Sequence, residues 1–254
     1  MSVLGELWNR VTGTQPAPPV WIIAVAGVVA LAVVAYRPSW HVARNAITIA
    51  HEGGHALVSL ISGRKLEGIR LHSDTSGVTY SRGRGSGPGI VLTTMAGYIT
   101  PPLLGALAAW LLAAHHVTAE LWLLLALLAA TFLAIRNAYG AVAVLATLAG
   151  VCAVSLLTSA AVQSVFSYGT AWFLLLGGIR PVIELRRERS RSYRRGRPGR
   201  TDADQLARLT GLPGGAWVFV FGIVAVAALA LGAKLLLPAA LHVPHVPHVP
   251  TANG

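Results

Sequence analysis

Long apolar stretches alternate with short polar ones along this chain, and most are about as long as a bilayer is thick. A helix needs about 20 apolar residues to cross the hydrocarbon core, with about 17 as the lower end. The first such stretch is "VWIIAVAGVVALAVVAY", Val20–Tyr36, and the second is "VARNAITIAHEGGHALVSLIS", Val42–Ser62. Ile90–Ala114 follows, with the helix-bending "GYITPP" inside it. The tract from Leu121 to Ile179 is too long for two helices and divides at "RNAYG" and near "LTSAAVQS" into Leu121–Ile135, Ala138–Leu157 and Ala160–Ile179. Ala216–Leu237 is the last. The pattern predicts an all-α polytopic membrane protein of about 6–7 transmembrane helices, seven if every stretch crosses.

The polar intervals carry their own signals. In "GRKLEGIRLHSDTSGVTYSRGRGSGPG" two loosely alternating runs flank the turn-forming "SDTSG". This predicts a short β-hairpin over 64–86, directly after the second stretch. "RRERSRSYRRGRPGR", 186–200, is polar enough to be expected as a flexible cytoplasmic loop. "TDADQLARLTGLPGG" predicts a short helix ending at a proline-glycine break. The domain plan is therefore an N-terminal segment 1–19, a membrane-embedded domain 20–237 and a low-complexity tail 238–254. The histidines of that tail, His242, His245 and His248, are three apart and fit a disordered tail better than a metal site.

Composition agrees with the membrane class. The 254 residues are 54% hydrophobic and only 11% charged, whereas soluble domains carry about 25% charged residues. The net charge of +11 is clustered, with nine of the twenty basic residues in Arg180–Arg200 and five in Arg64–Arg84. Arginines beside apolar spans report topology and anionic headgroups more often than nucleic acid. With the Arg180–Arg200 segment inside the cell, alternation puts Arg136, the hairpin and the amino terminus inside and the carboxyl terminus outside. No basic region followed by an apolar core opens the chain, so the first span is expected to act as its own targeting signal. Cys152 is the lone cysteine, which excludes an internal disulfide and a thiolate cluster.

The second stretch holds the chemistry. His51, Glu52 and His55 fit H-E-x-x-H, and residues four apart lie on one face of a helix. Two neutral imidazoles there can grip one Zn²⁺, with Glu52 as general base beside it. Uncompensated, an acid at mid-membrane costs roughly 2.5–3.5 kcal/mol on insertion scales. A metal accounts for all three ionisable groups at once. Gly53 and Gly54 leave room for a backbone or substrate to approach. A catalytic zinc takes three protein ligands, and Asp202 and Asp204, at the start of the short helix before the last span, stand out among the remaining acids. Spacing does not choose between a ligand and an ordinary helix-start acid, nor between the two aspartates. His72 and Asp74 in the hairpin are weaker candidates, since turn chemistry explains Asp74.

"AHEGGHALVSLISGRKLEGIRLHSDTSGVTY" resembles the site-2-protease family of intramembrane zinc metalloproteases, closest to a bacterial branch with HEGGHA in a transmembrane helix. The similarity extends through "AGYITPP", "RNAYG", "AWFLLLGGIRPVIEL" and "TDADQLARLTGLPGGAW", and so covers most of Val42–Phe221. The resemblance implies a Zn²⁺ endopeptidase of a bacterial inner membrane, acting in regulated intramembrane proteolysis of a membrane-anchored protein substrate. His51, His55 and a distant aspartate would hold the metal, and Glu52 would activate water. The family's usual Asp-Gly pair is absent, and "TDADQLARLTG" stands in its place, with Asp202 as the implied ligand and Asp204 second. A catalytically inactive metal-binding scaffold of the same architecture is the alternative.

Overall fold

The structure is a computed structural model that describes residue 5, residues 12–196 and residues 199–237. The expected tail lies outside the described residues, as does most of the N-terminal segment. In chain order the elements are α1 (Val20–Ala35), α2 (Arg37–Ile61), β1 (Lys65–Leu71), β2 (Gly77–Arg82), α3 (Pro88–Ala113), α4 (Val117–Ala134), α5 (Ala138–Leu157), α6 (Ala160–Arg194), α7 (Asp202–Thr210) and α8 (Gly214–Leu236). Among the described residues five helices, α3, α4, α5, α6 and α8, are long and apolar enough to cross a membrane. Large apolar side chains such as Val28, Val142 and Ile223 lie exposed on the outside of the bundle, as lipid contact requires. The chain is an integral multi-pass membrane protein.

Among the described residues the seven expected spans reduce to five, or to six when a bent helix pair is counted as one. α1 and α2 form one bent pair, meeting at 101° over Tyr36. The physical reason lies in α2, which is two-faced where the spans are apolar all round: Arg44, Thr48, Glu52 and His55 share one side and Leu57, Leu60 and Ile61 are exposed on another. The corner is clasped to α6. Trp40 Nε1 and Arg180 Nε both donate to Glu184 Oε1, at 3.0 and 3.2 Å, and the Arg180 guanidinium lies 4.8 Å from the centre of the Trp40 ring. Arg180 also donates to the Val34 carbonyl, and Arg44 pairs with Glu184. α2 therefore starts where α1 ends and finishes beside Gly89, on the first turn of α3. This places the start of α1 at the opposite end of the bundle from the one its pattern suggested. Gln15 N–H bonds the His115 carbonyl between α3 and α4, and α8 runs from the Val182–Leu185 level to beyond Leu175 of α6. The start of α1 and the end of α8 thus share one end, opposite the hairpin and the arginine-rich segments.

The segment 186–200 is also corrected. α6 continues as helix to Arg194, because no helix breaker intervenes between Pro181 and Gly196, and arginine and glutamate are good helix formers. Gly196, with φ +61°, ends it. The predicted hairpin forms, antiparallel, with a bulge between Leu66 and Gly68. Its β1 edge is covered: Ile69 bridges Ile135, Arg136 N–H donates to the Ile69 carbonyl at 2.8 Å, and the Asn137 side chain bonds both the N–H and C=O of Leu71. Asn137 thereby fixes the hairpin to the α4–α5 connection. Asn137→Ala leaves the Leu71 amide and carbonyl unpaired, at about 1–3 kcal/mol per buried group. Faster amide hydrogen exchange at Leu71 is the expected result; exchange unchanged from wild type would contradict the role of this contact.

Candidate metal centre

The two histidines stand on one face of α2, as their spacing requires, and α3 lies across that face at close range. A Cβ added to Gly54 would meet Thr100 Cβ at 2.6 Å and the Ala96 carbonyl at 3.1 Å. The room expected beside this glycine is thus taken by α3, through the Thr100 side chain and the Ala96 carbonyl. α7 brings in the acid. His51 Nε2 and His55 Nε2 are 3.1 Å apart, and Asp202 Oδ2 lies 3.3 Å from the first and 3.2 Å from the second. Donor atoms about 2.0–2.1 Å from a tetrahedral metal stand about 3.3 Å from one another. The three atoms have that mutual spacing.

Two further observations fit a metal. His55 Nδ1 lies 2.6 Å from the Thr93 carbonyl. A carbonyl only accepts, so Nδ1 carries the proton and Nε2 presents its lone pair to the site. Gly97 of α3 faces the group, and a Cβ there would run into both Nε2 atoms. The cradle is one that any side chain at position 97 would fill. In the sequence Gly97 only opens the helix-bending "GYITPP"; its contact with both rings depends on the packing of α3 against α2, which no local signal announces. Thr93 and Tyr98 likewise join the site only through this packing. Tyr98 packs edge-on against the His51 ring at 4.8 Å and stacks on Phe221 at 5.0 Å.

Asp202 and Asp204 have different surroundings. Burial acts to raise the Asp202 carboxyl, but its bonds to His51 and His55 outweigh that and hold it well below the usual carboxylate range. Asp204 faces away, into the helix start. Its Oδ2 accepts from Thr201 Oγ1 at 2.6 Å and from Thr201 N–H at 3.1 Å, while Oδ1 pairs with Arg189. That is a capping box, which leaves Asp204 no free oxygen for the site. Asp74 is accounted for by its turn, where the Ser76 hydroxyl and amide hold its carboxyl below the ordinary value. His72 stays with that turn, Nδ1 3.4 Å from Ser76 Oγ. Neither belongs to the cluster.

Glu52 is 4% exposed. It reaches the hairpin, where Thr79 Oγ1 donates to Oε2 at 2.6 Å and lies 3.1 Å from the Glu52 main-chain carbonyl. Gly77 lies under the other oxygen, so close that an added Cβ would be 2.7 Å from Oε1.

A family model described as Peptidase M50B-like matches residues 24–232, nearly the whole described bundle. The chain belongs to that family, the site-2-protease family. No curated protein and no solved structure matches. Family members are membrane metallopeptidases, and in this member the matched region contains all four residues of the site. Gly97→Val places a side chain in the cradle. It is expected to lower metal content by more than tenfold in purified protein while helical content is kept; full metal content in that variant would contradict the cradle.

Proposed function

We propose that this chain is an intramembrane zinc metalloendopeptidase that cuts membrane-anchored proteins. The observation that carries the reading is the convergence of His51 Nε2, His55 Nε2 and Asp202 Oδ2 at mutual distances of 3.1–3.3 Å, one residue from a buried carboxylate. His51, His55 and Asp202 would hold the ion, and Zn²⁺ suits two imidazoles and one carboxylate. When bound there, zinc supplies Lewis acidity that brings water into the range where a carboxylate takes its proton. Glu52, with Oε2 engaged by Thr79, would keep Oε1 to take up a proton from water and hand it to the leaving amine. His55 keeps its orientation throughout through the Thr93 carbonyl, and α3 closes the site from one side.

A helical substrate hides its peptide bonds in its own hydrogen bonds and has to unwind before it is cut. The hairpin offers a place for the unwound segment. Since β1 is covered by residues 135–137, the remaining edge is β2. The His72–Ser76 hydrogen bond sets the parity of the ladder, and by alternation Gly77, Thr79 and Ser81 turn their main-chain groups outward. A strand added there would lie beside Glu52. An apolar cavity of about 660 Å³, lined by Trp21, Ala50, Gly53, Leu57, Leu124 and Thr131 among others, adjoins the same helix. It suits the apolar part of a membrane-anchored substrate. The arginines at the end of α6 suit anionic headgroups on the same side, in a bacterial plasma membrane.

Glu52→Gln is expected to keep its zinc and lose cleavage of a membrane-anchored test substrate by at least about 100-fold, the scale of general-base catalysis. Cleavage at the wild-type rate by a zinc-loaded Glu52→Gln protein would remove Glu52 from the role of base, and a zinc-loaded wild type that cuts nothing would favour a scaffold whose metal is structural.

A further inference from the structure

The hydroxyl of Thr79 is the one side-chain group bonded to the Glu52 carboxylate among the described residues. It comes from the hairpin, 27 residues along the chain, and the hairpin is held against α2 at further points. Thr48 Oγ1 of α2 donates to the Thr75 carbonyl at 2.9 Å, and Gly77 packs under the carboxylate. Along β2, Gly77, Thr79 and Ser81 turn inward, while Val78, Tyr80 and Arg82 are exposed. Thr79 thus has two roles at one position. Its side chain faces the base, and its main chain lies on the uncovered edge of the sheet.

We propose that Thr79 is a positioning residue that seats the Glu52 carboxylate, so that the hairpin is part of the machinery of the general base. A free glutamate side chain on a helix samples several rotamers, and each lost rotamer has to be supplied by a contact. A hydrogen bond to a charged acceptor at 2.6 Å is of the short, charge-assisted kind. It fixes Oε2 and leaves Oε1 as the oxygen that moves protons. The close contact with Gly77 blocks the neighbouring space, so the carboxylate is confined from two sides by adjacent inward positions of one strand. Valine at 79 keeps the shape of threonine and removes the donor. Serine keeps the donor.

This inference rests on the proteolytic reading, and its test has two arms that fail separately. In the first, kcat and KM for a membrane-anchored substrate are compared in zinc-loaded wild type, Thr79→Val and Thr79→Ser. The expected result is a fall in kcat of about 10–100-fold for Thr79→Val, with KM and zinc content unchanged, and recovery to within about threefold of wild type for Thr79→Ser. Equal kcat in Thr79→Val and wild type, or equal losses in the valine and serine variants, would overturn it. The second arm needs no activity. Opening of β2 is measured by amide hydrogen exchange in wild type, Thr79→Val, Glu52→Ala and the double variant. If the two side chains act as one contact, the double variant exchanges no faster than the faster single variant. Fully additive effects would remove the contact on which the proposal stands. A wild type that cuts no substrate, with coupling intact in the second arm, would count against the protease and not against the Thr79–Glu52 pair.

Discussion

Where α2 crosses α3, Gly54 and Gly97 let the two helices approach until the ring nitrogens of one lie against the backbone of the other. Everything at the centre depends on this approach. A side chain at 54 would push Thr100 and the Ala96 carbonyl away, and with them Thr93, whose carbonyl sets the His55 tautomer. A side chain at 97 would occupy the space between the rings. In a membrane protein, small residues are the usual means of bringing two helices this close, because lipid gives little apolar drive to pack larger ones. Here the same close contact forms the cradle.

Around that contact the chain gathers polar groups from distant segments at one end of the bundle. Asp202 arrives on α7, whose start is fixed by the Thr201–Asp204 box and by Arg189 of α6. Thr79 arrives on the hairpin, which Asn137 ties to the α4–α5 connection. The Trp40–Arg180–Glu184 clasp sets the direction in which α2 leaves α1. Each anchor is a hydrogen bond or ion pair across elements, and each orients a residue of the site through a rigid helix or strand. The ionisable groups of α2 are thereby taken up by partners, which answers the cost of placing them beside apolar spans.

Much of this was legible in the residues. The spacing of His51 and His55 gave a shared helix face, Thr201 marked a helix start, and "SDTSG" marked the hairpin turn. Tertiary partners decided the rest. Asp202 and Asp204 lie two apart in similar local sequence, and only Arg189 and the cap separate their roles. α2 passed for a span because its apolar residues are numerous; that they occupy one face matters only once the hairpin covers the other. The polarity of the arginine run after Pro181 suggests a loop, yet it lacks a breaker until Gly196 and stays helical to Arg194. Gly97 and Thr79 carry no local signal, since each acts through a helix or strand it meets only after folding.

On this reading three side chains from α2 and α7 hold one metal ion. The direct test is elemental metal analysis of detergent-purified wild type beside His55→Ala, Asp202→Asn and Asp204→Asn, prepared without chelators. About one zinc per chain is expected in wild type and in Asp204→Asn, as a three-ligand site requires, and loss of it in His55→Ala and Asp202→Asn. Metal-free wild type, or zinc retained in Asp202→Asn and lost in Asp204→Asn, would contradict it.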